Sequence, residues 1–442
     1  ISLGLVGWVM WIRDRFYGGL VRSKNMLSVM MQVSTVAIIG FIAWVFWGYS
    51  FAFTDGGSWD SFVGGLGRLF LKDVTPASNV ATFSTGVVIP ELSFISFQAT
   101  FAAITAALVV GSLVERMKFA AIVAFAVLWP LLSYYPMAHM VWWWPGPDAI
   151  AGDPTAPVKA GLIWSFGALD FAGGTVVHIL SGVSGLVACL VIGRRKGYGS
   201  EPMIPHNLPM TVTGTALLWF GWFGFNAGSA LAAGSLAGSA FVVTHLATAA
   251  AALSWVTAEW LRHGKPTVLG AASGAVAGLV AITPASGFVD PMASIIIGLV
   301  AGVVCYLAVS VVKAKLRYDD SLDAFGVHGI GGTWGALATG IFANPAVNPA
   351  GAGLLYGNPG QVITQIISIA ASWAVAAAGT FIILKAVGAV IKLRATDEEQ
   401  EAGLDITQHG EDAYTDFVSG SPFGDLRLSG ASHQATMKPA KV

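Results

Sequence analysis

Charge is what this sequence has least of. Asp, Glu, Lys and Arg together make up 11% of its 442 residues, against roughly 25% in soluble globular domains. With a formal net charge of -1, there is no basic field to attract nucleic acid. Cysteine is scarce as well. Cys189 and Cys305 are the only two, and both lie inside apolar runs, which argues against a disulfide framework. Neither belongs to a metal-ligand motif. The chain also lacks a nucleotide-binding glycine loop and a nucleophile motif. The expectation is a protein that is not an enzyme and uses no cofactor or metal.

What is present is apolar length. Hydrophobic residues are 55% of the chain, and runs near 20 residues recur along it, the length that crosses a bilayer. A first span begins over 1–12, is broken by the charged stretch Trp11–Arg15, and resumes over 16–20. Ten more are predicted over 26–53, 89–113, 119–142, 170–193, 208–230, 237–261, 269–288, 291–312, 321–343 and 360–391. This is an all-α polytopic membrane protein of about eleven transmembrane helices. The 54 glycines follow no collagen-like period and suit close helix contacts within lipid.

Alternate connections hold Arg22 and Lys24, Arg116 and Lys118, Arg194 to Lys196, Arg262 and Lys265, and Lys313, Lys315 and Arg317. The other set holds only Arg68, Lys72 and Lys159. The positive-inside rule therefore places the N-terminus outside and the C-terminus inside the cytoplasmic membrane. Five spans precede the middle connection and five follow it. An odd number per half inverts the second half relative to the first. The predicted organisation is a transmembrane domain over 1–391, with inverted repeats over about 1–193 and 208–343 and a last helix over about 360–391. From 392 the chain turns polar and acidic, which predicts a cytoplasmic tail over 392–442, disordered in its last part.

Two stretches echo each other. Residues 170–186 read DFAGGTVVHILSGVSGL and residues 323–337 read DAFGVHGIGGTWGAL. Each runs acid, glycine, histidine, then small residues. They fall on the fifth and tenth spans, where inversion would bring His178 and His328 together near the midplane. An ionisable residue inside a bilayer is a functional candidate by default. The plainer alternative is an imidazole that only satisfies a neighbouring helix. A histidine pair in contact can share one proton. His245 has no counterpart and falls to the plainer alternative. Asp170 reads as a helix N-cap, able also to hold the backbone of a binding vestibule. His139 is expected near the outer surface. His206, His263 and His409 fall in polar connections and are expected to be solvated.

Aromatic residues line up at helical spacing. Phe97 and Phe101 are one turn apart, and Trp222, Phe225 and Ser229 share a face. Alone, such stripes are more often core packing. Trp142, Trp143 and Trp144 end the fourth span, which leaves an interfacial belt and a cation site both open.

Several long motifs occur in fixed order: FYGGLVRSKN, FQATFAAITAALVVGSLVERMKF, DFAGGTVVHI, WFGWFGFNAGSAL, ITPASGFVD, FGVHGIGGTWG and GLDITQHGEDAY. From about Phe16 to Tyr414 the chain resembles the ammonium transporter family (Amt/Mep/Rh), in its bacterial and archaeal Amt branch. The resemblance implies ammonium or methylammonium as substrate and a homotrimer with one pore per subunit. It implies an external cation site of Trp142, Phe101 and Ser229, with Asp170 holding it, and a phenylalanine gate of Phe101 and Phe225. His178 and His328 would be the twin histidines of a proton relay. Trp222, Tyr17 and Phe97 would line the pore, and Asp320 would stand near the inner mouth. The tail segment GLDITQHGEDAY resembles the part that helps dock a PII-type signal protein. Two departures stand out. About sixteen extra residues lie between Trp142 and Asp170, which keeps Trp143 and Trp144 open beside Trp142. The charges at Trp11–Arg15 replace an apolar helix, which bears on Tyr17. An ammonium sensor signalling through its tail and an Rh-type gas channel are the alternative functions.

Overall fold

The computed structural model describes residues 15–149 and 158–414. The first predicted span over 1–12, the charges through Asp14, part of the extra connection after Trp142, and the tail beyond 414 lie outside the described residues. Apolar runs become helices here for a solvent reason. Lipid offers no hydrogen bonds, so each crossing segment must satisfy its own backbone.

Helix α1 (15–20) is the described end of the first span. It is followed by α2 (Ser23–Phe53), α3 (Glu91–Val110), α4 (Phe119–Trp142) and α5 (Gly174–Ile192). The second half contains α6 (Leu208–Gly228), α7 (Ser235–His263), α8 (Val268–Ile282), α9 (Pro291–Leu316), α10 (325–342) and α11 (Gly360–Val390). Each predicted span from 26 onward meets one helix. Seven of the described helices are long and apolar enough to cross a membrane by length and composition alone. The all-α polytopic architecture of eleven spans is as the sequence predicts. A two-stranded antiparallel hairpin, β1 (Asn79–Ala81) with β2 (Val88–Pro90), sits in the long connection between α2 and α3.

Glycine decides where α5 and α10 cross. A Cβ on Gly182 would fall 2.1 Å from the Gly329 nitrogen, and one on Gly332 would fall 2.9 Å from the His178 Cβ. No larger residue fits, so the two backbones touch and the histidines are drawn together. Both histidines lie in a π-turn, over Gly174–Ile179 in α5 and Phe325–Gly329 in α10.

At one face the tail folds back over the helix ends. Its helix α12 (Asp397–Ala402) starts with a capping box between Thr396 and Glu399. The Asp405 carboxylate then accepts from the backbone nitrogens of Leu27 at 3.0 Å and Ser28 at 2.7 Å, capping α2 from a distant part of the chain. Lys118 pairs with Glu399 at 3.2 Å, and the Lys196 nitrogen donates to the Gln400 side chain at 3.1 Å. The connections predicted to share a side thus gather around one tail. Beneath it Arg195 bridges Glu115 at 2.8 Å and Asp319 at 2.7 Å. Burial pushes both carboxyls up, but Arg195, with Arg22 at Glu115 and Arg116 at Asp319, outweighs it and holds them below the ordinary range.

Candidate functional site

Two cavities enter the bundle from opposite ends. The larger, about 1080 Å³, lies at the end away from the tail and is lined by Trp142, Asp170, Phe97, Phe101 and Ser229. The smaller, about 400 Å³, lies at the tail end and reaches Tyr17, Lys313, Asp323 and His328. Phe225, Trp222 and His178 line neither, and each is 1% exposed. A closed segment therefore separates the cavities.

The floor of the larger cavity is aromatic. The rings of Phe101 and Phe225 lie 4.4 Å apart between centroids, close enough to block the passage. Trp142 stands edge-on to Phe101 at 5.7 Å, and Phe97 does the same one turn away at 4.9 Å. The three tryptophans are told apart by contact. Trp142 touches Phe101 and donates its Nε1 hydrogen to the Asp170 carbonyl at 2.9 Å. Trp143 donates to Asp60 at 3.0 Å, and Trp144 stacks on Trp164 at 5.3 Å. Ser229 donates its hydroxyl to the Phe225 carbonyl at 2.9 Å. That leaves its oxygen lone pairs for an N–H donor in the cavity.

Asp170 does not point at that space. Its carboxylate is the cap of α5, accepting from the nitrogens of Gly173 at 2.9 Å, Gly174 at 2.6 Å, Thr175 at 2.8 Å and Val176 at 3.3 Å, and from the Thr175 hydroxyl at 2.5 Å. Gly173 takes φ +112 to bring those nitrogens round, a conformation glycine adopts without steric cost. The acid therefore fixes both the Trp142 ring, through its carbonyl, and the start of the histidine helix.

Below the phenylalanines, His178 stacks on Trp222 at 5.4 Å and lies 6.1 Å from Phe225. Trp222 is itself anchored by donating to the Thr283 hydroxyl at 2.9 Å. The Nδ1 atoms of His178 and His328 are 3.3 Å apart. A hydrogen bond at that distance requires one nitrogen to carry the hydrogen and the other to accept it.

The acid that matches Asp170 is not the one the motif echo pairs with it. Asp323 was expected to match Asp170, and Asp320 to stand near the inner mouth, where its carbonyl does accept from Lys313 at 2.6 Å. Asp320 is fully buried, accepts from the Phe325 nitrogen at 2.7 Å and takes the Ser112 hydroxyl at 2.7 Å. It caps α10 as Asp170 caps α5, and each stands eight residues before its histidine. Asp323 instead pairs with Lys313 at 2.6 Å and lines the smaller cavity. Tyr17 lines that cavity too, with its hydroxyl donating to the Leu108 carbonyl at 3.5 Å.

His206 and His409, expected to be solvated, are both half-buried, His409 with its ring edge-on to Phe119 at 5.1 Å, while His139 lies beside Trp143 at the end that holds the larger cavity. His139 is fully buried between the carbonyls of Ala52 at 3.0 Å and Asp60 at 2.6 Å. His206 is half-buried between the Val21 carbonyl at 2.8 Å and the Tyr414 hydroxyl at 2.9 Å. His245 is exposed on the side of the bundle against Trp219 and Phe223. The sequence did not point to Thr175, Thr283 or Ser112. Thr283 and Ser112 steady an indole and a buried acid from remote segments, which leaves no local signal, whereas Thr175 lies five residues from Asp170.

A sequence profile described as the Ammonium Transporter Family matches residues 5–414. This chain belongs to that family. An ammonium transporter of Bacillus subtilis is 50% identical over 406 residues, covering 91% of this chain and 93% of the relative. The crystal structure of Saccharomyces cerevisiae Mep2 superposes with a TM-score of 0.78 at 35% identity, covering 90% of each chain. A structure described as a sensor Amt protein gives a TM-score of 0.81 at 28% identity, covering 92% of this chain and 96% of that one. The family members found are transporters rather than enzymes.

Proposed function

We propose that this transporter captures ammonium or methylammonium at Trp142, Phe101 and Ser229, strips one proton, and passes ammonia through the closed segment. The observation that carries this is the histidine pair, 3.3 Å apart between Nδ1 atoms and lying beneath the tilted ring pair of Phe101 and Phe225. A cation in the larger cavity meets an aromatic face worth about 0.5–2 kcal/mol and a hydroxyl oxygen. Beyond Phe225 it enters a closed segment walled by aromatic and imidazole rings, so an intact ion pays a desolvation penalty of several kcal/mol. Ammonium escapes that penalty by leaving its proton behind. Potassium has no proton to leave, so the barrier discriminates by chemistry rather than by size. The proton follows the shared imidazoles of His178 and His328.

The tail face is the cytoplasmic one in this reading, with the larger cavity outside, because the basic connections cluster around the tail. The protein would sit in the cytoplasmic membrane as a homotrimer among lipids. The tail over 403–414 would offer its exposed side to a PII-type signal protein. A sensor role is the second reading, favoured by the likeness to a sensor Amt structure. Reconstituted protein under an inward ammonium gradient decides between them. Current that scales with ammonium and is slowed in His178→Ala supports transport. Absence of flux together with ammonium-dependent partner binding would favour the sensor.

A further inference from the structure

The connection that leaves α2 at the larger-cavity end turns back on its own helix. The Gly64 nitrogen donates to the Phe51 carbonyl at 2.7 Å. The Ser50 hydroxyl donates to the Gly65 carbonyl at 2.8 Å and accepts from the Arg68 nitrogen at 3.0 Å. From there the chain reaches Phe70, whose ring lies 5.4 Å from that of Phe46. Phe46 is two turns short of the end of α2 at Phe53, about 10 Å back along the axis. It belongs to an apolar stripe. Met31, Ile38, Ile42, Val45 and Phe46 recur at helical spacing along α2, each between 38% and 52% exposed. Because α2 is long and apolar enough to cross a membrane, Phe70 is laid over the end of a face that runs through the bilayer.

The strap itself is shaped to turn apolar groups outward. Phe70 and Leu71 take φ +56 and +54, a left-handed conformation that costs any residue with a Cβ. Yet Phe70 remains 68% exposed and Leu66 65%. In water that arrangement brings no return, and soluble surfaces rarely keep such a patch. Against hydrocarbon the same groups are at home. Lys72 at the end of the strap is exposed, and its stem is long enough to lie on an apolar layer while the charge stays at its edge.

We propose that residues 66–72 dip into the leaflet on the larger-cavity side, and that their partner is the acyl region of the bilayer, met by Leu66 and Phe70. The other side of the strap faces the protein. Arg68 lines the larger cavity and stands 3.5 Å from the buried Glu91, so one segment has lipid on one side and the cavity wall on the other. The transport reading is not needed for this.

The test uses full-length protein in lipid nanodiscs. Cys189 and Cys305 are both buried, so a nitroxide can be placed at Phe70→Cys. Ile38→Cys, in the middle of the exposed stripe, is the lipid reference, and Glu398→Cys, exposed on α12, is the aqueous one. Collisions with oxygen, which concentrates in lipid, are compared with collisions with a nickel chelate, which stays in water. We expect the oxygen-to-nickel ratio at position 70 to lie nearer the Ile38 value than the Glu398 value. A ratio nearer the Glu398 value would overturn the proposal by placing the strap in water. Low collision with both agents would overturn it as well, because protein then covers the face, and spin–spin broadening would name a second copy as the cover. Leu66→Cys gives the same reading if Phe70→Cys does not assemble.

Discussion

A carboxylate and a neutral imidazole differ most in what they offer an intact cation. In the proposed mechanism His178 and His328, 3.3 Å apart between Nδ1 atoms, supply a shared hydrogen and no negative charge. His178→Asp or His328→Glu would supply the charge and remove the shared proton. We expect such variants to conduct ions, with potassium now competing with ammonium, whereas alanine at either position slows proton movement and keeps potassium out. Potassium-driven current in liposomes, with assembly checked by size, reads this directly. Potassium exclusion that survives in a folded acidic variant would place selectivity at the aromatic floor. Ser229→Ala is the matching test of the outer site. Its hydroxyl oxygen is an acceptor beside Phe225 at the larger cavity, so ammonium capture should weaken by about 0.5–1.5 kcal/mol, seen as a higher half-saturation with the maximal rate retained. Trp142→Leu should shift the same quantity. An unchanged half-saturation in both would move the site elsewhere in the cavity, towards Trp144 and Trp164.

The helices carrying the histidines are each set by a buried acid at one end and glycine contacts along one side. Asp320→Ala takes the acceptor from the Phe325 nitrogen and the Ser112 hydroxyl. Leaving two buried donors unpaired costs about 1–3 kcal/mol each. We expect a lower melting temperature in detergent and a lost or reduced current, with Asp170→Ala doing the same from the other helix. A stable, fully active Asp320→Ala would show that glycine packing alone places His328. The spans were legible in the sequence because lipid forces every crossing into an apolar helix, and length and composition then suffice. The histidine pair was legible because two polar rings stood inside such runs with small residues beside them. The role of Asp320 was overlooked although its spacing to His328 matches Asp170 and His178. The eye follows the run DAFGVH, while the cap is set by where the chain turns. The burial of His139, His206 and His409 was missed for another reason. Their partners, Ala52, Asp60, Val21, Tyr414 and Phe119, come from remote segments, and nothing near any of the three announces them.

On the scale of the whole molecule, the tail is a brace that ties three connections together. Asp405 on α2, Glu399 on Lys118 and Gln400 on Lys196 each reach a different one. Deletion from Gly403 onward removes the Asp405 cap but none of the pore residues. We expect assembled protein whose flux is lower or no longer regulated, measured as initial uptake in liposomes with and without the partner protein. Full flux and intact partner binding in the truncated form would contradict this. The two cavities have a further electrical consequence. Each reaches far into the bundle, and the stretch between them, from Phe101 to the histidines, is closed. Membrane voltage falls where solvent is absent, so nearly the whole field is compressed onto Phe225, Trp222 and His178. A proton stepping between the two imidazoles would then feel a large share of about 2.3 kcal/mol for every 100 mV, although it moves only a few ångströms. The rate of that short step should track the membrane potential, and the cell's electrical state would drive uptake without any element of the fold having to move with it.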